Sequence, residues 1–136
     1  MVFLQNSGNM AMSMKTKNGA VAGPALRPRL RMTCGKEIAF GPGKADLLEL
    51  IARTGSIRKA ASRMSMSYMR AWSLLRTMNR SFKQPLVEAI RGGSRHGGAT
   101  LTPAGTRVLN LYRQMEAASL KSVQADWRKM RKLLRD

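Results

Sequence analysis

One stretch limits the folds open to this chain: Thr54 to Arg80, reading TGSIRKAASRMSMSYMRAWSLLRTMNR. Ser56 is placed to cap a helix, its hydroxyl accepting one of the orphan N–H groups of the first turn. Ile57, Ala60, Ala61 and Met64 then recur at helical spacing. The two alanines are small enough for another helix to approach closely. Ser65 and Met66 supply a turn, and Ser67 caps a second helix with Ala71, Leu74, Leu75 and Met78 on its inner face. A short helix with a small-residue centre, a tight turn and a capped helix with a polar outer face make a helix-turn-helix. Such a unit lays its second helix in the DNA major groove.

Charge points the same way. No acidic residue lies between Glu49 and Glu88, whereas Arg53, Arg58, Lys59, Arg63, Arg70, Arg76, Arg80 and Lys83 are basic. Solvated helix faces usually mix signs, so a one-sign surface implies a polyanion partner. The whole 136-residue chain carries a formal net charge of +18. Its hydrophobic content of 43% is enough for a folded core in one domain. Anionic membrane is a weaker candidate, since no basic amphipathic helix is free of core duties, and no apolar run reaches spanning length. The N-terminal MVFLQNSG is too short and too polar for a signal-peptide core. Cys34 is the sole cysteine and His96 the sole histidine. An internal disulfide and a His/Cys metal cluster are therefore excluded, and a reducing, cytoplasmic location is expected. Sparse carboxylates and one histidine leave no acid–base pair or nucleophile constellation, so an enzyme is not expected.

Residues 1–28 lack a hydrophobic period and read as a disordered basic tail, either an arm toward DNA or a mis-assigned start. Leu30 to Phe40 has strand character anchored by Leu30, Met32 and Ile38. The GPGK at 41–44 opens a buried helix through Arg53 that includes Leu50 and Ala52. It lacks the GxxxxGK[ST] spacing of a phosphate-binding loop. Gly55 fits the left-handed position that ends that helix. Beyond the second helix pair, Leu86–Ile90 and Ala99–Leu101 read as two strands around the Gly-rich basic segment GGSRHGG, a wing whose glycines let the backbone approach a phosphate or a minor groove. Thr102-Pro103 starts the last helix. Leu120, Val123, Trp127, Met130 and Leu134 continue it at heptad spacing. The expectation is one long helix to Leu134, roughly 48 Å at 1.5 Å per residue. Its apolar seam either joins two copies of the chain or folds back on its own core. The fold class is thus mainly α, a winged helix-turn-helix with a small β-hairpin wing and a long C-terminal helix. Residues 29–115 form the DNA-binding domain and 116–136 a dimerising extension of the last helix.

On a helical wheel Met69, Arg70, Ser73, Arg76, Thr77 and Arg80 share the outer side of the second helix, with Tyr68 and Trp72 at the boundary. Arg70, Ser73 and Arg76 form a row suited to base edges, since arginine pairs bidentately with guanine O6 and N7. Ser67 and Tyr68 at the helix start suit a phosphate. Ser56, Arg58 and Lys59, at the start of the preceding helix, suit backbone contacts. Arg80 extends the outer face, and Arg91, Arg95 and His96 belong to the wing.

The run GPGKADLLELIARTGSIRKAASRMSMSYMRAWSLLRTMN, then PLVE, then GGSRHGGATLTPAG, resembles the N-terminal DNA-binding domain of ModE-type molybdate-responsive transcriptional regulators, and more loosely the winged helix-turn-helix of LysR-type regulators. The GSIRKAA, SYMRAW and GG-x3-GGA-x-LT elements carry the resemblance, which covers about Leu30 to Met115. It implies a winged helix that binds double-stranded operator DNA as a homodimer, often as a repressor of molybdate-uptake genes in bacteria. By the same match Ser67, Tyr68 and Arg70 fall at the start of the recognition helix and Arg95 in the wing. Full-length members carry C-terminal molybdate-binding domains. This chain ends at Asp136, about where those begin, so neither a molybdate site, a cofactor nor another small-molecule ligand is expected in it. A sequence-tolerant architectural DNA-coating protein and an RNA-binding or protein-interaction module are the alternatives.

Overall fold

A computed structural model describes residues 23–90 and 98–135. Residues 1–22, most of the expected N-terminal tail, lie outside the described part, while 23–28 carry no regular structure. The chain divides into two units. One is Leu30–Asn110; the other holds Leu111 onward with the N-terminal residues through Arg29.

The first unit begins with an antiparallel hairpin, β1 (Met32–Cys34) and β2 (Glu37–Phe40). Gly35, at φ 63°, takes the left-handed position of its turn. A register shift between Met32 and Thr33 turns the end of β2 inward. It is Ala39 and Phe40 that are buried, while Ile38, expected as an anchor, is exposed. Phe40 meets Phe82 edge-on at 6.0 Å.

Three helices follow: α1 (Pro42–Thr54), α2 (Ile57–Arg63) and α3 (Tyr68–Ser81). Ala45, Leu47, Leu48 and Ile51 of α1 are fully buried. Ala52, expected inside, is exposed, and Glu49 is buried instead, 3.3 Å from the guanidinium of Arg53. Near the start of α1, desolvation lowers the Lys44 pKa, and Glu37 partly offsets this. Gly55 ends α1 in the left-handed conformation at φ 66°, its N–H bonded to the Ile51 carbonyl. Ile57, Ala60 and Ala61 turn the inner face of α2 into the core. The α2–α3 turn closes with Met66 N–H on the Ala61 carbonyl, and Ser65 takes φ 54°, a left-handed value that a non-glycine residue rarely adopts.

The second sheet pairs β3 (Val87–Ala89) with β4 (Ala99–Leu101), Val87 opposite Leu101. The α1–α2 junction lies alongside β4: Ser56 bridges Gly98, and Ala99 N–H bonds the Gly55 carbonyl. Two further ties fix this sheet. Asn79 of α3 donates to the Val87 carbonyl and accepts from the N–H groups of Leu86 and Val87. Thr102 donates its hydroxyl to the Pro85 carbonyl and accepts from the Gly105 N–H, capping α4 (Pro103–Ser122) as its sequence position predicts.

The expected single helix to Leu134 is not what forms. After α4 the backbone turns at Val123 (φ −108°, ψ 8°), and a separate helix α5 covers Gln124–Arg131. Polar side chains explain the break. The Gln124 carboxamide donates to the Leu120 carbonyl, which the Gln124 N–H would occupy in a continuous helix, and the Ser122 hydroxyl takes the Ser119 carbonyl. Side-chain capture of carbonyls in this way competes with the helical ladder. The heptad seam therefore runs across an interruption. In this second unit Arg113 and Glu116 form a buried ion pair at 2.8 Å.

Packing of α4 depends on Gly105. A Cβ there would lie 2.0 Å from the Leu86 carbonyl oxygen. Backbone rather than a movable side chain blocks it. Gly105→Ala is expected to lower stability by about 3 kcal/mol or more, beyond ordinary overpacking. Urea denaturation followed by circular dichroism measures it; a midpoint within error of wild type would refute the close approach.

Candidate nucleic-acid interface

The candidate surface is built on α3. Its start is fixed by Ser67, whose hydroxyl accepts from the Arg70 N–H at 3.1 Å. Ala71, Leu75 and Met78 bury the inner face, with Leu74 half-buried beside them. Anchoring that face forces the other outward: Met69, Arg70, Ser73, Arg76 and Arg80 are all exposed. Met69, Ser73, Arg76 and Arg80 follow each other at spacings of four, three and four, so they make one ridge along the helix. Arg70 lies beside it. Ser73 is exposed, and its carbonyl accepts from the Thr77 hydroxyl.

Arg80 differs from the other two arginines. It stands 4.0 Å from Glu37, both exposed, a contact that solvent leaves weak. Among the described residues Arg70 and Arg76 make no ion pair. Their guanidinium forks remain open, the condition for bidentate recognition of a base edge or a phosphate.

Helix α2 contributes through a stack. The Arg58 guanidinium lies 4.7 Å from the centroid of the Tyr68 ring, and Tyr68 meets the half-buried Trp72 edge-on at 6.2 Å. This aromatic step joins the first turns of α2 and α3 and holds a cation between them. Lys59 is exposed one residue further on. Ser56 has a structural job: its hydroxyl caps α2 by accepting from the Lys59 N–H at 3.1 Å. Ser67 is likewise engaged as a cap, so what both serines offer an anion is a helix start as much as a hydroxyl. Arg91, Arg95 and His96 of the wing lie outside the described residues. What is described is the base of the wing, where Ile90 N–H bonds the Gly98 carbonyl and extends the ladder of β3 and β4.

Leu120 and Trp127 are half-buried, and Val123, Met130 and Leu134 are exposed. They are divided by the break at Val123.

Sequence reasoning passed over Asn79, the residue that joins α3 to the wing. The signal was present but weak: a carboxamide late in a helix, followed after a short connector by a strand whose N–H groups need partners. It also gave Met69 no role.

This arrangement is that of a winged helix-turn-helix, the DNA-binding class of bacterial regulatory domain. Residues 44–106 match the model of the bacterial regulatory helix-turn-helix protein, lysR family. The chain is 42% identical over 82 residues to the molybdenum-pterin-binding protein MopB of Rhodobacter capsulatus, covering 60% of this chain and 30% of MopB. It is 38% identical over 94 residues to the molybdenum transport protein ModE of Azotobacter vinelandii, covering 68% and 35%. With the DNA-binding transcriptional dual regulator ModE of Escherichia coli K12 it shares 41% identity over 83 residues, covering 61% and 32%. The chain thus spans about a third of the length of these relatives. The similarity is to transcriptional regulators, not to enzymes. No helix among the described residues is long and apolar enough to cross a membrane.

Proposed function

We propose that this protein is a sequence-specific transcriptional regulator that binds double-stranded operator DNA as a homodimer in the cytoplasm, and that its targets serve molybdate uptake or molybdenum metabolism. The observation that carries the DNA reading is the outer face of α3, where Arg70, Ser73 and Arg76 stand exposed. No carboxylate interrupts the chain from Glu49 to Glu88. The molybdenum assignment rests on the names of the relatives. Residues 29–115 are the reading domain in this proposal, and 116–136 the dimerising extension, now in two helical pieces.

Selection from a random-sequence DNA pool at physiological salt tests specificity. A defined site should emerge, and Arg70→Ala and Arg76→Ala should each weaken binding to it by about 1–3 kcal/mol, the worth of a bidentate base contact. A pool that yields no consensus would instead favour a sequence-tolerant DNA-coating protein.

The dimer proposal rests on where apolar surface stays in water. Leu111, Met115, Val123, Met130, Leu133 and Leu134 are exposed, more such side chains than the described part of the Leu30–Asn110 unit leaves uncovered. Arg128, Lys129, Arg131, Lys132 and Arg135 crowd the same segment, so association relies on apolar burial against charge repulsion. Salt should then tighten the dimer while it loosens DNA binding through counterion release. Sedimentation equilibrium should show a dimer at tens of micromolar protein, shifting toward monomer in Val123→Glu with Met130→Glu. A wild-type monomer, or a double variant that still dimerises, would rule out this surface.

A further inference from the structure

Met69 is the anomaly of the DNA-facing ridge. It is the second residue of α3 and 72% exposed, the most exposed large apolar side chain among the described residues of the Leu30–Asn110 unit. Its neighbours along the ridge are Ser73, Arg76 and Arg80, and Arg70 follows it in sequence. A thioether adds nothing to phosphate binding, and it packs against no core that would explain it. Residues at the N-terminal end of a recognition helix are the ones that reach base edges. In the major groove the apolar feature of a base edge is the C5-methyl group of thymine. Methionine, unbranched and polarizable, adapts its shape to such a small apolar target.

We propose that Met69 is a specificity-determining residue that contacts a thymine C5-methyl group in each operator half-site. This rests on the reading of α3 as a sequence-specific recognition helix. Met69 supplies the apolar component of base recognition and Arg70 and Arg76 the hydrogen-bonding component. Met69 and Arg70 are adjacent at the helix start, so these two address neighbouring base pairs, and Arg76 follows about two turns further along the same helix.

The test couples one atom group on the DNA to one side chain on the protein. Each thymine of the selected site is replaced in turn by deoxyuridine, which removes only the methyl group. Binding of wild type, Met69→Ala and Met69→Leu is then measured by fluorescence anisotropy. One thymine position should cost wild type about fourfold in affinity when demethylated, the equivalent of one methylene-sized burial. The same replacement should cost Met69→Ala nothing, and Met69→Leu should keep part of the dependence. The side chain's exposure means that neither variant should disturb folding, which circular dichroism checks. A wild-type chain that prefers the site but loses affinity at no thymine, or loses it equally in Met69→Ala, would overturn the proposal alone. A wild-type chain with no preference for the site over scrambled DNA would overturn the sequence-specific reading, and this proposal with it.

Discussion

The Asn79 carboxamide joins the two parts of the domain that have to act together. From late in α3 it accepts from the Leu86 and Val87 N–H groups and donates to the Val87 carbonyl. These are the backbone groups where the chain enters the wing, and part-buried peptide groups without partners are costly. The contact therefore satisfies the wing's first strand and sets its position relative to α3. From that strand the chain meets Gly105, whose missing side chain lets α4 lie against the Leu86 carbonyl, and Thr102, whose hydroxyl holds the Pro85 carbonyl. On the other strand, Ala99 and Gly98 attach to the α1–α2 junction at Gly55 and Ser56. Helix, wing and junction thus close into one hydrogen-bonded frame around an apolar core.

The surface obeys a different constraint. Mixed charges on adjacent helices would have stabilised the folded chain through local pairs. Instead the outer faces of α2 and α3 carry arginine and lysine with little to offset them, and among the described residues Arg80 is the α3 arginine that approaches a carboxylate. Like-charge repulsion is tolerable here because the inner faces are anchored by fully buried side chains such as Leu47, Leu48, Ile51 and Leu75. Stability comes from the core and the frame, which leaves the ridge free to be shaped by a partner. The stack of Arg58 on Tyr68 shows how such a cation is held in place without neutralising it.

The parts of this fold that were legible in the sequence are those specified locally. Ser56, Ser67 and Thr102 announced three helix starts, Gly55 a helix end, and apolar spacing the inner faces; each depends on residues within a turn of one another. What escaped depends on long-range or competing interactions. Asn79 bonds residues seven and eight positions away across a connector. Gly105 matters because a carbonyl from another element passes over it. Ser65 adopts its left-handed backbone because the α2–α3 turn requires it there. The break at Val123 went unread because heptad spacing of apolar residues is blind to Ser122 and Gln124, whose side chains take carbonyls from the helix. The candidate DNA residues on α2 and α3 other than the half-buried Tyr68 fell on exposed faces for the same local reason as the caps, whereas the wing residues Arg91, Arg95 and His96 lie outside the described residues.

In the proposed function, the exposed ridge of α3 lies in the major groove and reads bases. Dimethyl sulfate methylates guanine N7 in that groove, while hydroxyl radicals report on the backbone. Applied together to the complex with a selected site, the two reagents should show protected guanine N7 atoms in two clusters, their centres about 10–10.5 base pairs apart, flanked by protected backbone. Backbone protection with guanine N7 reactivity unchanged throughout the site would mean that α3 binds phosphates without entering the groove, and would contradict the claim.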